Sequence, residues 1–273
     1  MPGIYIHIPF CKKICYYCDF YFSLNLSNKT DYISALLQEI ERRKDYLIDK
    51  KISTIYFGGG TPSVLSFGEL QTIFDAISKI YDISNVSEIT LEANPDDLTP
   101  EYLQELRKTP INRLSIGIQS FRDEDLMTMN RRHSAHEAVD SVKYAQKAGF
   151  KNITIDLMYG LPDLSLEAWK LNIQTALSLN VQHISAYHLT IEKQTAFNKF
   201  VNDGKIILPT EDISQQQYDL LVEMLSQQGF IHYEISNFAL PGFEAVHNSS
   251  YWKQTPYIGF GPSAHPFHGS TRQ

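Results

Sequence analysis

Short runs rich in β-branched and aromatic residues recur along this chain, and most are followed by a stretch with helical spacing of apolar residues. The runs cover Ile4 to Ile8, Thr54 to Phe57, Glu88 to Glu92, Arg113 to Ile118, Asn152 to Met158 and His183 to His188. The clearest helix between them spans Ser134 to Ala148. There Ala135, Ala138, Val139, Val142 and Ala145 recur at three- and four-residue intervals, and Gly149 supplies the stop. A second covers Leu166 to Leu179, carrying Trp169, Ile173, Ala176 and Leu177. Repeated β-α units leave few topologies, namely parallel strands joined by right-handed crossovers. Six such units predict an α/β fold, an open and partial version of the (β/α)8 barrel.

The phase of the strands says which side chains face the lumen, because side chains alternate faces along a strand. Ile89 and Leu91 share one face, so Glu92 takes the other. The same holds for Gln119 against Leu114, Ile116 and Ile118, and for Asp156 against Ile153, Ile155 and Leu157. Helices cover the apolar outer face, so Glu92, Gln119 and Asp156 are expected to look inward near the C-terminal strand ends, where barrel enzymes build their sites. Three polar residues on solvated edges would not require the same phase three times.

Past Lys205 the rhythm changes. A helix is expected from Asp212 to Gln228, stopped by Gly229, then a strand from Phe230 to Ile235 and an aromatic, glycine- and histidine-rich tail. This divides the chain into a barrel over residues 1–205 and an α+β extension over 206–273, packed on the barrel. With 273 residues and 43% hydrophobic content the chain can build a sizeable core. A net charge of −7 argues against general nucleic-acid binding. No apolar run is long enough for a membrane span, and no signal peptide is visible, so the expected address is cytoplasmic, with peripheral membrane contact left open.

All three cysteines, Cys11, Cys15 and Cys18, fall in one C-x3-C-x2-C run. Three thiolates on one loop suit a metal site better than a disulfide framework, which wants an even count. They are one too few to close a four-iron, four-sulfur (4Fe-4S) cluster, so one iron would be left open for another ligand. A Cys3His structural zinc site with His7 is the competing reading. Against it, His7 lies in the alternating run Ile4-Tyr5-Ile6-His7-Ile8, which reads as a strand.

Gly58-Gly59-Gly60-Thr61-Pro62-Ser63 directly follows the strand ending at Phe57. It has neither the G-x-G-x-x-G spacing of a dinucleotide site nor the lysine of a phosphate loop, and its glycines let backbone approach a ligand closely. Together the cysteine loop and this glycine run resemble the motifs of the radical S-adenosylmethionine (SAM) enzymes. That resemblance implies a 4Fe-4S cluster on Cys11, Cys15 and Cys18. Its open iron would take the amino and carboxylate groups of SAM, whose sulfonium is then split to a 5′-deoxyadenosyl radical. By the same resemblance Tyr17 packs against adenine, Gly59, Gly60 and Thr61 receive the methionine amino group, and Glu92 takes ribose hydroxyls. Gln119, Arg131 and Asp156 contact the rest of the nucleoside. On pattern alone Arg131 is equally a helix-end charge.

Tyr5-x-His7-Ile8-Pro9-Phe10-Cys11, Glu92-Ala93-Asn94-Pro95 and Ile155-Asp156-Leu157-Met158-Tyr159-Gly160-Leu161-Pro162 extend the resemblance to one subfamily. It comprises the anaerobic coproporphyrinogen III oxidases and the haem chaperones related to them, and implies a cofactor role for Tyr5. Two features favour the chaperones. Asp19-Phe20 follows Cys18 where the oxidase has a further cysteine. His247-Asn248-Ser249-Ser250-Tyr251-Trp252 is similar to a segment implicated in haem binding, which makes His247 the expected haem ligand and His265 the runner-up. The partners implied are haem or a porphyrin, haem-accepting proteins and an electron donor. Radical decarboxylation of coproporphyrinogen propionates is the alternative activity, and a redox or structural iron–sulfur protein the third. Relatives continue into a small C-terminal domain, so this chain is expected to be shorter than they are.

Overall fold

Residues 1–267 are described in the computed structural model. The expected alternation is present: β1 (Gly3–Ile8), α1 (Lys29–Arg42), β2 (Thr54–Gly59), α2 (Phe67–Ser78), β3 (Glu88–Ala93), α3 (Pro100–Leu106) and β4 (Arg113–Gln119). It continues with α4 (Asp123–Thr128), α5 (Ala135–Lys147), β5 (Ile153–Tyr159), α6 (Leu166–Ser178), β6 (His183–His188), α7 (Ala196–Asn202) and α8 (Glu211–Gln227). The chain then forms β7 (Ile231–His232), β8 (Asn237–Ala239), α9 (Val246–Trp252) and β9 (Tyr257–Phe260). Helix α5 starts where expected because Ser134 and Glu137 cap each other's backbone N–H groups reciprocally.

One sheet runs in the order β7-β8-β6-β5-β4-β3-β2-β1-β9. The pairs from β9 through β6 are parallel, and β8 and β7 add antiparallel to β6. The expected single strand over residues 230–235 is instead a hairpin. The chain reverses between His232 and Asn237, and β8 inserts between β6 and β7. The Tyr233 hydroxyl pairs with His183 Nε2 at 2.7 Å and accepts from the Ala245 N–H at 3.2 Å, which fixes the reversal. Such a tie joins residues far apart in the chain and leaves no local pattern. The segment after residue 205 supplies strands at both edges of the sheet; its residues 268–273 lie outside those described.

Apolar positions face the helices: Ile4, Ile6 and Ile8 on β1, Leu114, Ile116 and Ile118 on β4, Ile153, Ile155 and Leu157 on β5, all within 0% exposure. The inward face carries polar, aromatic or glycine residues almost throughout. Helix α9 sits at the lower end of the lumen: the Val246 and His247 N–H groups donate to the Glu88 carboxylate at 2.8 and 3.1 Å. Among the described residues no helix is long and apolar enough to cross a membrane.

Candidate metal and cofactor site

The three cysteines leave the top of β1 on a loop that is pinned at several points. Cys11 N–H donates to Ser23 O at 3.0 Å, Cys18 N–H to Cys15 O at 3.2 Å, and Tyr16 N–H to Met129 O at 3.1 Å. All three thiols are free and half-buried. They line one cavity of about 440 Å³ together with Gly59, Gly60 and Thr61 from β2 and its turn, Glu92 from β3, Gln119 from β4 and Asp156 from β5. Tyr17 and Arg131 complete the wall. The strand phase thus brings Glu92, Gln119 and Asp156 together, with strands β2 to β6 all contributing to one mouth. Gln119 arrives there by an irregular route: the ladder to β5 shifts register between Ile116 and Gln119, and Gln119 has φ +70°, a region most side chains avoid.

Donors already point at the sulfurs. Arg131 Nη1 donates to Cys15 Sγ at 3.2 Å and to the Tyr17 hydroxyl at 3.3 Å. Its Nη2 donates to Asn94 Oδ1 at 2.7 Å, and the Thr61 hydroxyl lies 3.5 Å from Cys11 Sγ as donor. Arg131 therefore turns its guanidinium to the cysteine loop instead of capping a helix end, and its buried Nε has no partner. Burial pushes the Cys18 thiol up to about 11 and raises that of Cys11 too. Among the described residues no three His, Cys, Asp or Glu side chains converge on a single-ion position. Thiolates around a cluster each bind a different iron and need not converge, so the donor set fits a 4Fe-4S cluster better than one zinc ion. His7, the fourth ligand of the zinc reading, is otherwise engaged. Its Nδ1 pairs with the Tyr5 hydroxyl at 3.1 Å and its Nε2 with Tyr21 O at 3.0 Å.

Gly59 N–H donates to Glu92 Oε2 at 3.2 Å and Gly60 N–H to Ile8 O at 2.8 Å, so these donors are taken. An ammonium group is itself a donor and needs acceptors, which leaves the carbonyls of this turn as its complement. Glu92 also accepts from the Tyr56 hydroxyl at 2.7 Å. Burial, with the charge of Asp156 adding, lifts its carboxyl to about 7. Burial likewise lifts Asp156 to about 6. Two carboxylates poised this way would gain from the hydroxyl donors of a ribose diol, which favour the charged form.

Two expected residues lie elsewhere. Tyr5 does not line this cavity; it faces an adjoining one of about 290 Å³, with His7, Tyr21, Tyr251, Tyr257 and His265, and stacks at 6.1 Å on Tyr56. The two cavities share Phe20, Gly59 and Glu92. His247 is buried at the floor, with Nδ1 paired to the Thr54 hydroxyl at 2.8 Å and Nε2 to the Tyr251 hydroxyl at 2.9 Å. Burial lowers it to about 3, and neither ring nitrogen is presented to a ligand. Two residues of the lumen were given no role by the sequence. Asn94, which ties Arg131 to Thr61 (Nδ2 to Oγ1, 3.3 Å), directly follows Glu92-Ala93. Arg113, 1% exposed beside Glu88 and Thr90, has the same inward phase as Gln119.

Residues 5–191 match the model of the radical SAM superfamily. The heme chaperone HemW of Lactococcus lactis is 42% identical over 95% of this chain and 68% of its own length. HemW of Escherichia coli is 37% identical over 96% of the chain and 69% of its own. Among solved structures the E. coli coproporphyrinogen III oxidase HemN superposes with a TM-score of 0.85 at 26% identity, covering 98% of this chain and 65% of that one. An archaeal Elp3 superposes at 0.57 with 16% identity, a likeness of fold alone. The cysteine loop, the glycine turn and the inward carboxylates all fall inside or at the heart of the matched span, and the chain belongs to the radical SAM superfamily and, within it, to the HemW family.

Proposed function

We propose that this chain carries a 4Fe-4S cluster on Cys11, Cys15 and Cys18, binds SAM in the adjoining lumen, and acts as a haem chaperone that passes haem to haem-accepting proteins. The observation that carries the cofactor part is the meeting of three half-buried thiols with Glu92, Gln119, Asp156 and Arg131 around one cavity. When bound and reduced, such a cluster supplies one electron for cleavage of the SAM sulfonium. The chain's own residues do the holding. Arg131 and Thr61 donate to the sulfurs of Cys15 and Cys11, Tyr17 would wall the adenine side, and Glu92 and Asp156 would accept from ribose hydroxyls. The barrel of residues 1–205 supplies these groups, and the extension of 206–273 adds strands to both sheet edges and the floor. An electron donor and a cytoplasmic address belong to the same reading.

Haem is cargo in this reading. Its identity rests on the HemW relatives, and the engaged ring nitrogens of His247 favour a seat in the side cavity over one at the floor. Exposed His265 lines the side cavity among Tyr5, Tyr21, Tyr251 and Tyr257, aromatic cover of the kind a porphyrin face favours. His247 becomes a ligand only if α9 lifts away. Oxidase activity is the second reading, favoured by the HemN superposition.

The test has two arms. Anaerobically reconstituted protein should hold about four irons and four sulfides, and lose them when any of the three cysteines is replaced. Haem should then give a Soret band that weakens in His265→Ala more than in His247→Ala. Conversion of coproporphyrinogen without haem binding would replace the chaperone reading by the oxidase.

A further inference from the structure

The short turn Pro95–Asp97 after β3 ends in a carboxylate that is only 2% exposed. Asp97 Oδ1 accepts from Lys12 Nζ at 2.5 Å, and Oδ2 accepts from Ser63 Oγ at 2.7 Å. The Arg132 guanidinium lies 3.7 Å from Oδ1. These partners belong to three segments far apart in the chain. Lys12 lies between Cys11 and Cys15, Ser63 just past the glycine turn, and Arg132 beside Arg131. Ser63 Oγ in turn accepts from Asn94 N–H at 3.2 Å.

These are the same three segments that meet around the sulfurs. Thr61, two residues from Ser63, reaches Cys11, and Arg131 reaches Cys15. A carboxylate this deep persists only where cations and donors compensate it, and losing one partner leaves charge uncompensated. Lys12 is 39% exposed and belongs to the loop that presents the thiols, so its ammonium is the handle by which a buried group grips that loop. Nothing in this pairing contacts the cavity that SAM would occupy: neither Lys12 nor Asp97 lines it.

We propose that Asp97 is a positioning residue for the cluster loop. Through Lys12 it sets the loop against Thr61 and Arg131, so that the three thiols are arranged before iron arrives. The inference rests on the cluster-binding reading above, and its test separates the two. Asp97→Asn, Lys12→Met and the double variant are compared with wild type by hydrogen exchange over residues 11–18 in metal-free protein. Release of iron to a chelator and the electron paramagnetic resonance signal of the reduced cluster are then read on loaded protein. Each single change should speed loop exchange and iron release by about tenfold, the worth of one buried charged hydrogen bond. The resonance signal should shift, which a loss of general stability would not cause. The double variant should be no worse than Asp97→Asn, because both changes remove one contact. Unchanged exchange in Lys12→Met, or effects that multiply in the double variant, overturns the proposal. Lys12 is exposed enough for its variant to fold, so it decides the matter if Asp97→Asn does not. A wild type that takes up no iron would defeat the functional reading, while exchange in the metal-free chain still judges the latch.

Discussion

Glu92 is held in a lumen that disfavours its charge, and that has a consequence for stability. Its carboxyl titrates at about 7 in the folded chain, against roughly 4.3 for an unperturbed glutamate. Between these values the folded chain keeps a proton that the unfolded chain has released. Stability from this group is therefore full below the lower value and falls as pH rises through the window, by roughly 3–4 kcal/mol in all. Glu92→Gln cannot titrate. In metal-free protein its urea midpoint relative to wild type is expected to rise between pH 5 and pH 8, and a constant difference would contradict the burial argument. Glu92 and Asp156 were legible in the sequence because alternation along a strand is a local rule. Arg113 obeyed the same rule and was passed over, since arginine at a strand start reads as an edge charge. The surroundings of His247 were not legible, for another reason. Its partners Thr54 and Glu88 are far away in the chain, and only the fold brings them to it.

At the scale of elements, the expected strand and long-helix boundaries fall within one or two residues of those observed, because caps and glycine stops are encoded locally. The hairpin of β7 and β8 was not, since its reversal is fixed by a bond to His183 on another strand. The turn after β2 shows what glycine does at an element's end. A Cβ on Gly60 would stand 2.9 Å from Ile8 O and Phe10 O, backbone atoms that cannot rotate away. Gly59 has φ +108°, and a Cβ there would meet the His7 ring at 2.7 Å. Gly60→Ala should therefore push the top of β1 and the cysteine loop outward. The expected cost is about 1–3 kcal/mol. Thermal melting should reveal it, together with iron content well below wild type after reconstitution. A variant that melts and loads normally would show that the loop yields freely.

For the molecule as a whole, the floor matters as much as the mouth. His247→Ala removes one buried and one part-buried side-chain hydrogen bond and leaves a void between Thr54, Tyr56 and Tyr251. A loss of about 2–4 kcal/mol is expected from denaturant unfolding of the haem-free protein. Weakened haem binding in that variant is thus ambiguous unless stability is measured beside it; a variant as stable as wild type would free His247 for the ligand role. The order of the sheet carries one more implication, for the time at which the protein becomes competent. Strand β1, made before either neighbour, pairs with β2 on one side and with β9, residues 257–260, on the other. Until the ribosome has delivered those late residues, the strand that leads into the cysteine loop has a bare edge, the kind that invites pairing with another chain. The root of the cysteine loop is thus finished by residues made long after it, and a nascent chain carries that strand with one side unpaired while its thiols already meet iron or oxygen.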